Sequence, residues 1–102
     1  MIREITNADF LGILKLYKQL NSSVIIENSD VGREAWAKIC CDEKYHIIVA
    51  EENEKIVSSC VCVIIPNLTH NFRAYAVIEN VITDENYRKK GYATACLNYA
   101  KA

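Results

Sequence analysis

Glycine is scarce in this chain: only Gly12, Gly32 and Gly91 occur. With so few, neither GxGxxG nor GxxxxGK followed by Ser or Thr can be written, which excludes the two common glycine-rich phosphate loops. Long apolar runs are also missing. No apolar stretch reaches the roughly 18 residues that mark a bilayer-crossing helix, and the first ten residues, MIREITNADF, carry Glu4 and Asp9 and lack the apolar centre of a secretory signal. Nor is there a surplus of either charge: 12 Lys and Arg against 13 Asp and Glu give a formal net charge of −1. General binding to nucleic acid or to anionic membranes draws on excess cations. Both classes of partner are therefore excluded, and any anion site must be local.

The five cysteines are an odd number and poorly spaced for bridging. Cys40 and Cys41 are adjacent, while Cys60 and Cys62 stand two apart in a strand-like run, where disulfide geometry is unfavourable. They read as small buried hydrophobes in a reducing cytoplasm. Zinc at Cys60 and Cys62 would need a second ligand pair at a suitable spacing, and none exists, so no metal is expected.

Apolar residues make up 51% of the 102 and charged residues 25%, the composition of one small globular domain. There is no repeat, low-complexity segment or linker. Residues 1–5 alternate as a short strand. Thr6 to Asp9 has capping-box spacing, and Phe10, Ile13, Leu14 and Tyr17 follow at helical spacing, which predicts a helix over 7–20 ended by Asn21-Ser22-Ser23. A second helix is predicted after Ser29, with Asp30 as its N-cap and Val31, Ala35, Trp36, Ile39 and Cys40 as its apolar stripe. Trp36 reads as core. His46 to Glu51 is a strand, Glu52 to Lys55 a tight hairpin connection that leaves Glu51 and Glu52 solvated, and Ile56 to Ile65 a strand apolar on both faces, as in a sheet covered on both sides. Pro66 stops it. Arg73 to Thr83 forms another strand, and from Gly91 onward Ala93, Cys96, Leu97 and Ala100 predict a helix still running at Ala102. His46, at a strand end, and His70, in a loop, read as ordinary solvated histidines.

The order is β-α-α-β-β-β-α. Short connections imply antiparallel pairing, and the last strand and helix look like the first half of a βαβ crossover without its return strand. The expected fold class is α/β (α+β), C-terminally cut off.

One stretch carries chemistry: VITDENYRKKGYAT, residues 81–94. Three cations precede a lone glycine at the start of a helix, where bare N–H groups already disfavour positive charge. Such a terminus suits a phosphate, a glycine lets the backbone approach it, and nearby cations offset the phosphate charge. Arg88-Lys89-Lys90-Gly91-Tyr92-Ala93, following a strand and turn, resembles the acetyl-CoA signature of the GNAT superfamily of N-acetyltransferases, Gln/Arg-x-x-Gly-x-Gly/Ala. The element order resembles the N-terminal part of that fold, a mixed sheet.

The resemblance implies acetyl-CoA as co-substrate and an amine of a small molecule or peptide as acceptor. Main-chain N–H groups of Lys89, Lys90, Gly91, Tyr92, Ala93 and Thr94 would hold the pyrophosphate, and Arg88 would shape the loop. Val81, Ile82 and Thr83 would line the pantetheine arm, with the Val81 N–H polarising the thioester carbonyl. Glu79, a carboxylate in an otherwise apolar strand, is costly to bury alone. It is either the general base or a structural partner of Arg73 or of a helix residue. The stretch Ile78-Glu79-Asn80-Val81-Ile82-Thr83-Asp84 resembles Ile-Glu-Asp-Val-Val-Val-Asp of amino-sugar N-acetyltransferases, with Asn80 in place of the Asp. Asn80 and Tyr75 are candidate acceptor contacts.

A whole domain of this family continues into a parallel strand, a helix with a thiolate-protonating Tyr, and closing strands. Residues 1–102 are therefore expected to be a single incomplete N-acetyltransferase domain, weak or inactive on its own, with Tyr99 no substitute for that acid. The unpaired Arg73–Thr83 edge implies a homodimer. The alternative function is a non-catalytic CoA-binding or oligomerising module.

Overall fold

The computed structural model describes residues 1–19, 29–69 and 72–101. Its elements are β1 (Ile2–Glu4), a 3-10 turn (Asn7–Asp9), α1 (Phe10–Tyr17), α2 (Asp30–Cys41), β2 (Tyr45–Glu52), β3 (Lys55–Ile65), β4 (Tyr75–Thr83), a second 3-10 turn (Glu85–Tyr87) and α3 (Tyr92–Lys101). The order expected from the sequence is the order observed. The four strands lie in the sequence β1-β2-β3-β4, each antiparallel to its neighbour.

The β2–β3 hairpin turns on Asn53 and Glu54, whose φ angles are +50° and +64°. A two-residue turn with both φ values positive matches the twist of the flanking strands. It leads into β3, which is hydrogen-bonded on both edges and covered on both faces, as a run apolar on both faces apart from Ser58 and Ser59 requires. One face packs against α1 and α2 through Ile13, Leu16, Trp36, Val49, Val61 and Ile82. The other packs against α3 through Ile48, Val57, Cys60, Cys62 and Cys96. β4 lies at the sheet edge, and Tyr75, Ile78 and Val81 on it are exposed.

The entry into α1 is fixed by a capping box. The Thr6 hydroxyl accepts from the Ala8 N–H at 3.3 Å, and Asp9 accepts from the Thr6 N–H at 2.7 Å. Arg3 adds a bidentate pair to Asp9, at 2.7 and 3.0 Å, so the first strand and first helix share one charge-assisted joint. That joint holds the Asp9 carboxyl below the usual carboxylate range, chiefly through its bonds to Arg3.

Several local expectations are corrected. The first turn of the predicted 7–20 helix winds as 3-10 over Asn7–Asp9, and its predicted end at Asn21-Ser22-Ser23 lies outside the described residues. Ser29, not Asp30, caps α2: its hydroxyl accepts from the Gly32 N–H at 3.1 Å. Asp30 becomes the first helical residue, where a carboxylate still favours the helix dipole. The α2 stripe is narrower than predicted. Val31 is 78% exposed and Ala35 is also exposed, because only Trp36, Ile39 and Cys40 reach the sheet cluster. β4 begins at Tyr75, two residues after Arg73. All five thiols are free. Cys60, Cys62 and Cys96 are buried as expected, but Cys40 is only partly covered and Cys41, at the solvent end of α2, is exposed. Glu51 and Glu52 are paired rather than simply solvated, Glu51 with Arg3 at 3.3 Å and Glu52 with the chain's amino group at 3.7 Å. No helix among the described residues is long and apolar enough to cross a membrane.

A carboxyl depressed in the folded state stabilises it above the unfolded value of about 3.9, and the benefit disappears as pH falls through the folded value. Asp9→Asn should therefore cost about 1–3 kcal/mol at pH 7, and the gap should close toward pH 2. Urea unfolding of both proteins at the two pH values checks this; a gap that stays constant refutes the assignment.

Candidate functional site

The end of β4 carries an irregularity that the sequence pattern does not announce. Val61 opposes Glu79 and Ser59 opposes Ile82, so Asn80 and Val81 together face Cys60. This is a β-bulge, with Asn80 in the left-handed region at φ +49°, where Asn is among the better-tolerated residues. Beyond the bulge Ile82 returns to the core at 6% exposure. The Asp84 N–H donates to the Val57 carbonyl at 2.7 Å, and the Ser58 hydroxyl donates to the Ile82 carbonyl at 3.0 Å. Ile82 and Asp84 therefore turn their main chain toward β3. Alternation along the strand turns Val81 and Thr83 outward, along the edge that no described strand covers.

After β4 the chain is pinned by Asp84. Its carboxylate accepts from the Asn86 N–H at 2.9 Å, from Lys55 Nζ at 3.1 Å and from Gln19 Nε2 at 3.3 Å. The Asn86 N–H is the main reason its carboxyl lies below the usual range. Gln19 also accepts from the Glu85 N–H at 2.9 Å. The 3-10 turn is thus fastened to the residues after α1 and to the start of β3.

The cationic loop follows. Arg88 Nε donates to the Thr83 carbonyl at 3.3 Å, folding the loop back onto the strand. Lys90 Nζ lies 5.4 Å from the centre of the Tyr87 ring, Lys55 Nζ 5.5 Å from it, and Tyr92 meets the same ring edge-on at 6.1 Å. Lys89 and Gly91 both have positive φ, +65° and +84°. The Gly91 carbonyl accepts from the Ala95 N–H at 3.0 Å, so α3 is launched there and the N–H groups of its first turn have no helical partner.

This end of the molecule fits a pyrophosphate on three counts. A Cβ on Gly91 would meet nothing within 4 Å, so the backbone is open to close approach. Arg88, Lys89 and Lys90 pair with no acidic side chain among the described residues. Finally, Val81, Ile82, Thr83, Arg88, Ala93 and Gln19 line a cleft of about 380 Å³ that joins the outward edge of β4 to the head of α3.

The other sequence candidates are distributed differently. Glu79 is exposed rather than buried. Among the described residues it pairs with neither Arg73 nor a helix cation, because the edge position leaves its face of β4 uncovered. It sits on the α1–α2 side of the sheet, where its charge, after burial, helps raise the Tyr45 hydroxyl. Asn80 lines a second pocket, between the helices and the sheet. Tyr75 is half exposed at the far end of β4, opposite Ile65, and is not brought to the cleft. His46 pairs with Glu4 across β1 and β2, also away from it, and His70 lies outside the described residues. Among the described residues no group of three His, Cys, Asp or Glu is arranged to hold a metal. Sequence reasoning missed Gln19, Lys55 and Asp84 as the anchors of the loop. Asp84-Glu85-Asn86 carried a signal, an Asp able to accept from the N–H two residues on; the long-range partners carried none.

Among known proteins, the model of the acetyltransferase (GNAT) family matches residues 7–102. A solved protein from Agrobacterium tumefaciens str. C58, assigned as an acetyltransferase, is 35% identical and superposes with a TM-score of 0.94 over 99% of this chain and 70% of its own. Glucosamine-6-phosphate N-acetyltransferase from Arabidopsis thaliana, 23% identical, has a TM-score of 0.86 over 99% of this chain and 71% of its own. A transcriptional regulator from Bacillus halodurans C-125, 24% identical, has one of 0.90 over 99% and 71%. At those identities the last two show the fold alone, and a shared fold leaves the individual function open. The family match over nearly the whole chain and the 35% identical relative agree with the strand, turn and glycine-headed helix just described: this chain belongs to the GNAT family of acetyltransferases.

Proposed function

We propose that the protein moves an acetyl group from acetyl-CoA to a primary amine of a small molecule or peptide, directly, with both substrates bound together. The observation that carries this reading is Gly91 at the head of α3: left-handed, open where a side chain would stand, and flanked by cations that have no acidic partner among the described residues. Bound acetyl-CoA would supply an acyl group already activated as a thioester.

In this reading the N–H groups from Lys89 through Thr94 hold the pyrophosphate, the cations offset its charge, and Arg88 keeps the loop against Thr83. The outward main chain of Val81 and Thr83 binds the pantetheine arm beside Ile82. The Val81 N–H donates to the thioester oxygen, an interaction that strengthens as negative charge develops there. Glu79, exposed and close to the bulge, takes the proton that the acceptor ammonium must lose before its nitrogen can attack, directly or through one water. Asn80 stands beside the reacting groups, whereas Tyr75, at the far end of β4, takes no part in this reading. Residues 1–102 act as one N-acetyltransferase unit that supplies the pyrophosphate loop and one wall of the pantetheine slot. A cytoplasmic site of action agrees with five unbridged thiols.

The exposed β4 edge is a surface that natural sheets usually cover or charge. A second copy of the chain, paired along the Tyr75 end of the Arg73–Thr83 edge so that the main chain of Val81 and Thr83 stays free for pantetheine, is our choice of cover. Light scattering on a size-exclusion peak should give a dimer mass that persists on dilution to micromolar concentration, and a folded monomer at high concentration refutes the dimer.

Two substitutions test the chemistry. Gly91→Val puts a branched side chain into the open space and a strained backbone under it, at a folding cost of roughly 1–2 kcal/mol. Coenzyme A affinity by calorimetry should fall at least about tenfold while circular dichroism stays native; unchanged affinity overturns the site. Glu79→Gln should slow acetyl-CoA-dependent thiol release by about 10²–10⁴-fold near neutral pH. The deficit should shrink at alkaline pH, where the acceptor amine is already neutral. A deficit that stays the same at every pH would remove Glu79 as base, and stabilisation by coenzyme A without turnover on any amine would favour a binding module.

A further inference from the structure

Between α1, α2 and the sheet lies the second pocket, about 200 Å³ in volume, walled by Phe10, Ile13, Ile39 and Ile47. Tyr17, Trp36, Tyr45 and Asn80 complete its character, and no Asp, Glu, Lys or Arg lines it among the described residues. Asn80 is the bulge residue immediately before Val81, so the pocket abuts the place where the proposed acyl transfer would happen.

Its polar atoms are unusual. Trp36 Nε1, in a residue only 9% exposed, is buried without a hydrogen-bond partner, whereas the Tyr17 hydroxyl has the Ser59 side chain beside it. A buried donor left unpaired is destabilising, and each such group calls for an explanation. The indole N–H can only donate, so what completes it must accept. The Phe10 ring lies 5.2 Å from the Trp36 ring at a tilt of 35°, which fixes the indole in place. Burial pushes the Tyr17 hydroxyl up to about 12, so it is neutral at physiological pH. Among the described residues the walls are apolar and the polar groups uncharged, and the negative charge of Glu79, after burial, helps raise the Tyr45 hydroxyl.

We infer that this pocket receives the body of the acceptor amine, and that this body is a compact aromatic group carrying a single hydrogen-bond acceptor for Trp36, with the amine directed toward Glu79 and Val81. The inference rests on the acetyl-transfer reading above. A ring of benzene size is a reasonable occupant, since a dry apolar cavity of about 150 Å³ holds one. A sugar is refused: its hydroxyls would lose water and find apolar walls in return. The chain therefore parts company with amino-sugar transferases in what it accepts, despite the Ile78–Asp84 likeness.

Trp36 is the only tryptophan, so its emission reports on this pocket directly. The full chain is titrated with 4-methoxyphenethylamine, phenethylamine and glucosamine, first alone and then with coenzyme A. The methoxy compound should shift Trp36 emission and bind at least about fivefold tighter than phenethylamine and at least about tenfold tighter than glucosamine. Calorimetry on Trp36→Phe should bring the two aromatic amines to near parity. If that variant does not fold, the wild-type comparison decides, since equal affinity for the two aromatic amines overturns the role of the indole. Glucosamine binding as tightly as the methoxy compound, with coenzyme A binding intact, overturns the pocket and leaves the transfer reading standing. Failed coenzyme A binding with the aromatic amine still held sinks the transfer reading and keeps the pocket.

Discussion

Asp84 is 4% exposed at the junction where β4 gives way to the loop ahead of α3. A carboxylate removed from water to that degree is unfavourable unless its oxygens are engaged, and here they are engaged by a main-chain N–H, a lysine and a glutamine from three parts of the chain. Lys55 reaches it from the start of β3, Gln19 from just after α1 and Asn86 from the next turn. The direction in which the chain leaves the sheet is set by this cluster. With it in place, Arg88 can reach back to Thr83 and Gly91 stands at the head of α3 with its backbone facing open space.

The sheet supplies a second constraint. β3 is the strand common to both cores, and its pairing with β4 fixes which residues of β4 face inward. The bulge at Asn80 resets that alternation within one residue. It lets Ile82 drop into the core and the main chain of Val81 and Thr83 look outward, while Asn80 joins the lining of the pocket under α1 and α2. One left-handed residue thus stands between two clefts beside the edge strand, one at the cationic loop and one at Trp36.

Much of this was legible in the residues. The period of Phe10, Ile13, Leu14 and Tyr17, the Thr6–Asp9 box and the two-faced apolar run of Ile56–Ile65 are local signals, and each produced the element expected. Arg88 to Ala93 stood out because a cationic, glycine-bearing helix start is locally unfavourable, and α3 does begin there behind a left-handed Gly91. The bulge was not, since a period-two pattern assumes unbroken alternation; only an Asn inside an apolar strand hinted at it. Ser29 and Asp30 are both good caps and adjacent, so local preference could not choose between them. Val31 was misjudged because helical periodicity marks a stripe but not how much of it the sheet can cover. Gln19 and Lys55 were invisible as anchors because their partner lies dozens of residues away in the chain, and the solvent exposure of Glu79 depends on its strand being outermost.

The hairpin at Asn53 and Glu54 has a reach beyond its own tip. Both residues hold left-handed backbone, and the residue that follows is Lys55, whose ammonium touches Asp84 and overlies Tyr87. The angle of that solvent-facing corner is therefore handed on, through a single lysine, to the cradle around Gly91. Sequence drift at the corner would reshape that cradle from a distance and, on the proposed reading, change how it grips a nucleotide that the altered residues never touch.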